Sequence, residues 1–169
     1  MKYNDENFIL LLAKESSIRG RIITMTIILE RAIDKYLCVH FSNDLSKQHE
    51  LMNYVFGTDL LSFDRKRQIF QFLTEKHDNV FNGQNKNIHK TIEKIMQERN
   101  VVAHSLLNHA DEAVDAVQEG ISFIKFKNKR STVSYTNEQV EKHLRVIFNC
   151  IAKVTALNMF ISSLPHGDR

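Results

Sequence analysis

A mostly α-helical bundle, with one small β-hairpin at about residues 121–135 before a last long helix, is the fold this sequence predicts. Three observations predict it. Five glycines and one proline in 169 residues leave little turn-forming material, which favours a few long helices over many short strands. Apolar residues recur at steps of three and four over most of the chain, the spacing of a helix face. Between Ile121 and Tyr135 that spacing gives way to strand formers around a polar Asn128-Lys129-Arg130 turn. With 43% hydrophobic and 25% charged residues the chain has ordinary globular composition, and one domain over residues 1–169 is expected.

The elements follow in order. Asn4 or Asp5 can cap a short first helix to about residue 14, with Phe8, Leu11 and Leu12 on one side. From Ser17 to about Phe41, Ile18, Ile22, Met25, Leu29, Ile33 and Tyr36 form one face of a long helix. Ile23, Ile27, Ile28 and Cys38 point elsewhere, so this helix is expected to be covered on several sides, either within a bundle or by a second copy of the chain. Asp44 or Ser46 can cap a helix carrying Leu51, Met52, Val55 and Phe56, with Gly57 as a left-handed stop. Asp64 is placed as the cap of the next helix, with Ile69, Phe72 and Leu73 inward and Arg65, Lys66 and Arg67 at its polar start. Lys76 to Asn87 reads as a polar loop.

A central helix follows, with Ile88, Ile92, Ile95, Val102 and Leu106 in one stripe. Residues 108–119 read as either a weak helix or an ordered loop ended by Gly120. After the hairpin, Thr136 and Gln139 make a capping box for a helix faced by Val140, Leu144, Ile147, Ile151, Val154 and Ile161 and closed by Pro165.

Several function classes are disfavoured. Met1 to Asn7 carries acids where a secretion signal wants positive charge, and the apolar block Ile22 to Leu29 is far shorter than the roughly 20 residues that cross a bilayer. A cytoplasmic protein without a membrane partner is expected. Cys38 and Cys150 stand singly, and the eight histidines lack ligand spacing, so no metal and no cofactor is expected. A net charge of +3 is too small to mark a nucleic-acid binder by itself.

The candidate chemistry lies in Gln97-Glu98-Arg99-Asn100-Val101-Val102-Ala103-His104-Ser105. On a helical wheel Arg99 falls about 20° from Ile88, within the apolar stripe, and a guanidinium there requires a strong acceptor. Asn100 and His104 lie together on the polar flank, whereas Arg99 and His104 diverge by about 140°. Arg99 paired with an acid such as Glu15 or Glu30, and His104 as a surface or cap residue, is the structural alternative. Imidazole with guanidinium also suits RNA transesterification, because histidine exchanges protons near neutral pH and arginine holds a phosphate as its charge develops. A second candidate is the hairpin tip, where Lys125, Lys127, Lys129 and Arg130 lie beside Phe123 and Phe126; they can track a nucleic-acid backbone or protect a strand edge.

Arg99-Asn100-Val101-Val102-Ala103-His104 resembles the signature of the HEPN superfamily, an arginine followed by a polar residue with four to six residues before a histidine. Glu15-Ser16-Ser17-Ile18-Arg19-Gly20 and Leu61-Ser62-Phe63 are similar to its mannitol-operon-repressor-like branch. The resemblance implies an α-helical bundle that forms a homodimer, bringing two motif copies into one cleft, and in active members a metal-independent RNA-cleaving site. It makes His104 the acid/base, Arg99 the phosphate holder and Asn100 the residue that orients histidine or substrate. RNA and a protein partner such as an antitoxin are the implied ligands. The repressor-like branch instead implies a noncatalytic transcriptional regulator or interaction module. Some toxin members carry a tyrosine two residues after the histidine; Leu106 stands there, which argues against regulation through that tyrosine.

Overall fold

A computed structural model describes residues 5–58, 60–76, 87–126 and 129–165. The fold is mostly α-helical, with a small antiparallel sheet before the last helix, as expected. The chain divides into two compact units, one of Met1–Thr26 with Met96–Val146 and one of Ile27–Ile95 with Ile147–Arg169.

Helix α1 spans Asp5–Phe41 without the expected break near residue 15. The reason is packing: Leu11, Ile18 and Ile22 are all buried and step by seven and four, so the core stripe runs straight past Glu15-Ser16-Ser17. Two weak helix formers do not interrupt a helix whose stability comes from a buried face. Leu12 is exposed rather than inward. Further along, Leu29, Ile33 and Tyr36 are buried as expected, while Ile27 and Ile28 are about half exposed.

In the second unit, α2 (Leu45–Leu51) is capped by Asp44, whose Oδ1 accepts from the Ser46 amide at 2.8 Å. A π-helical turn, Met52–Phe56, continues it. Gly57 is not left-handed, since its φ is −81°. Its need for glycine is close approach, because a Cβ there would lie 2.2 Å from the Met52 carbonyl oxygen and 2.8 Å from Arg31 Nη1.

Helix α3 (Phe63–Lys76) is capped by Ser62, whose Oγ accepts from the Arg65 amide at 3.3 Å; Asp64 instead pairs with Arg67 at 2.8 Å inside the first turn. Its buried face is Lys66, Phe70, Leu73 and Thr74. Ile69 is therefore half buried and Phe72 is exposed, because an ion pair at Lys66 and the Phe70 ring set the inward face. Phe70 packs edge-on to Tyr36 at 4.8 Å, and Thr74 Oγ1 lies 3.0 Å from His89 Nε2. The polar loop expected from Lys76 to Asn87 lies outside the described residues between 77 and 86.

Helix α4 spans Ile88–His104 and buries Ile88, Ile92, Ile95 and Val102. Leu106 does not continue this stripe; it opens strand β1 (Leu106–Leu107) and is exposed. Helix α5 (Asp111–Asp115) and a 3-10 turn, Ala116–Gln118, occupy the ambiguous stretch. Strands β2 (Gly120–Phe126) and β3 (Arg130–Thr136) form the expected hairpin, with Phe123 opposite Val133. Strand β1 adds to the other edge of β2, giving the order β1-β2-β3. The core of the first unit gathers Leu11, Ile18, Ile22, Val102, Val114, Val117, Ile121, Phe123, Val140 and Leu144.

Helix α6 (Asn137–Ser163) begins with the capping box, since the Thr136 amide donates to Gln139 Oε1 at 2.9 Å and the Gln139 amide to Thr136 Oγ1 at 3.2 Å. Thr136→Ala is expected to lower stability by about 1 kcal/mol, read from urea unfolding. Among the described residues α6 is the one helix long and apolar enough by length and composition to cross a bilayer. Its inward stripe is Val140, Leu144, Ile147, Val154 and Ile161, so that apolarity is in part core-forming.

Candidate functional site

The last two turns of α4 carry the three motif residues. Asn100 and His104, four apart, are both exposed, so they share one solvent-facing surface. Arg99 is half buried, and its Nη1 donates to Asn100 Oδ1 at 3.0 Å. The expected core-facing cation is thus corrected: Arg99 is only half buried, and its head reaches a polar neighbour on its own helix. The alternative partners are engaged elsewhere, Glu15 by Arg19 and Glu30 by Lys66. The helix is continuous from Arg99 to His104, so those two side chains leave it about 140° apart.

What holds this helix end was not evident from sequence. Arg19, one turn after Glu15 on α1, forms an ion pair with that carboxylate. Its Nη1 donates to the Val102 carbonyl and its Nη2 to the Ser105 carbonyl at 3.1 Å. The guanidinium lies over the Phe123 ring, 5.4 Å from its centroid. Helix ends leave carbonyls without intrahelical donors, and a cation there also suits the helix dipole. Because the chain turns into β1 after Ser105, Arg19 supplies donors that a further helical turn would have provided. The i, i+4 spacing of Glu15 and Arg19 signals their pair, but nothing in the sequence marks backbone carbonyls as its target.

A second polar contact was also missed. Glu98 Oε2 lies 2.9 Å from Nδ1 of His143 on α6, and His143 Nε2 is buried without a hydrogen-bond partner. Burial, with the Glu98 charge as the smaller cause, raises the Tyr135 hydroxyl above its ordinary range.

The chain matches no family model, no curated protein and no solved structure.

Among the described residues of the hairpin, the basic side chains do not form one stripe. Arg130 pairs across from Phe126, whereas Lys125 pairs across from Ser131, so Lys125 and Arg130 fall on opposite faces of the sheet. Lys129 is exposed in the turn, and Lys127 lies outside the described residues. Phe126 is exposed, but Phe123 is fully buried and serves the core. Cys38 and Cys150 are buried free thiols, each pushed up to about 11 chiefly by burial, which favours the protonated thiol over the thiolate. Among the described residues no three histidine, cysteine or acidic side chains lie together to hold a metal ion.

Proposed function

We propose that the protein is a HEPN-type, RNA-processing endoribonuclease that needs no metal and works as a cytoplasmic homodimer. The observation that carries this reading is the exposed Asn100–His104 surface at the end of α4, with Arg99 bound to Asn100 beside it. In this mechanism an imidazole takes the proton of a ribose 2′-hydroxyl as its oxygen attacks the adjacent phosphorus. The 5′-oxygen leaves with a proton from a second acid, giving a cyclic phosphate and a free 5′-hydroxyl. Arg99 holds the phosphate as its charge develops, and Asn100 orients the histidine or substrate. The divergence of Arg99 and His104 within one copy favours a composite site, in which a second copy supplies the other imidazole.

The test is RNA cleavage in excess chelator. His104→Ala and Arg99→Ala are each expected to lose about 100-fold or more of the rate while keeping the wild-type melting temperature. A His104→Ala protein that cuts as fast as wild type refutes the assignment.

A noncatalytic regulator or interaction module is the second reading. It is favoured by large apolar side chains left exposed in the second unit, Ile27 and Ile28 on α1 and Phe148 and Met159 on α6. In that reading a protein partner, an antitoxin or another, covers these residues and RNA is never cut.

A further inference from the structure

From the contacts at the end of α4 we infer that Arg19 is a positioning residue for His104. Three constraints converge on its guanidinium: the Glu15 carboxylate, the Val102 and Ser105 carbonyls, and the Phe123 ring. Those two carbonyls bracket His104 in the chain, one two residues before it and one immediately after. The backbone carrying the imidazole is therefore held on both sides by a single side chain from α1, while the imidazole itself stays exposed.

The geometry requires a fork. One guanidinium nitrogen is taken by Glu15 and two others by the two carbonyls, so the planar group binds three acceptors at once. A lysine has the charge but cannot present this planar array. Glu15 fixes the fork from below, and Ser105, itself buried, has its amide bonded to the Val101 carbonyl at 3.0 Å, the last helical hydrogen bond before the chain turns into β1. Loss of Arg19 removes the side-chain donor from two part-buried carbonyls, and the turn that carries His104 loosens as they turn to water.

Only the activity arm of the test rests on the ribonuclease reading. Arg19→Gln, Arg19→Lys and Glu15→Gln are compared with wild type by amide hydrogen exchange at Ser105 and by the imidazole resonances of His104, with His49 as a reporter elsewhere in the chain. The expected result is faster exchange at Ser105 and a displaced His104 resonance in Arg19→Gln, partial recovery in Arg19→Lys, and an unmoved His49. RNA cleavage by Arg19→Gln is expected to fall about 100-fold in kcat with KM unchanged, as misplacement of a reacting group does. If wild type cuts no RNA, the ribonuclease reading fails, and the exchange and resonance data still decide the positioning role. If Arg19→Gln does not fold, Glu15→Gln gives the same local readout with the guanidinium retained. Unchanged Ser105 exchange and His104 resonance in the folded variants overturn the inference, as does a shift of His49 equal to that of His104.

Discussion

Lys66→Met is expected to lower folding stability by about 3–5 kcal/mol at pH 8, the cost of breaking a buried ion pair from one side. Lys66 is 2% exposed, and its Nζ lies 2.6 Å from Glu30 Oε1 and 3.1 Å from Asp34 Oδ1. Methionine matches the stem but removes the charge, leaving Asp34, which is 0% exposed, with the half-exposed Arg31 at 3.6 Å as its cation among the described residues. The loss should also depend on pH. Burial raises the Asp34 carboxyl to about 6, against the lowering influence of the Lys66 hydrogen bond and charge. The unfolded carboxyl titrates near 4, so folding takes up a proton between those values. The stability Asp34 contributes is then full below about pH 4 and is lost as pH rises through about 6. Without Lys66 the carboxyl holds its proton to higher pH still, so the deficit of the variant is expected to be smaller at pH 5 than at pH 8. Urea unfolding at the two values checks this. A deficit under about 1 kcal/mol, or one equal at both values, would falsify the buried-pair account.

Lys66 also shows where sequence reasoning stops. The helix faces built from Ile18, Ile22, Leu29 and Ile33, or from Ile88, Ile92 and Ile95, were legible because aliphatic side chains declare their own environment by repetition. A lysine beside two arginines declares the opposite, and its partners Glu30 and Asp34 lie 36 and 32 positions away. Arg99 failed in the other direction: counting places its Cα within the apolar stripe, but a long stem lets the charge leave that stripe. Strand β1 was illegible because two residues have no period. The candidate motif was legible as residue types, and the surface shared by Asn100 and His104 followed from their spacing. The support beneath it was not, because Arg19 reads main-chain oxygens, which every residue possesses.

Phe123→Ala is the second large effect, with an expected loss of about 3–5 kcal/mol. The ring is 0% exposed in the core of the first unit, meets Tyr135 edge-on at 6.2 Å, and carries the Arg19 guanidinium on its face. Removing it opens a cavity and takes away the surface against which the guanidinium lies. The two contributions separate in Phe123→Leu, which keeps most of the apolar volume and should cost about 1.5 kcal/mol or less. If the ring holds Arg19, then Arg19→Gln costs less in the Phe123→Leu background than in wild type, by about 0.5–2 kcal/mol of coupling in a double-mutant cycle. Strict additivity would instead leave the carbonyls and Glu15 as the whole of the clamp. The presence or absence of that coupling decides whether the sheet takes part in holding the end of α4, or only fills the core behind it.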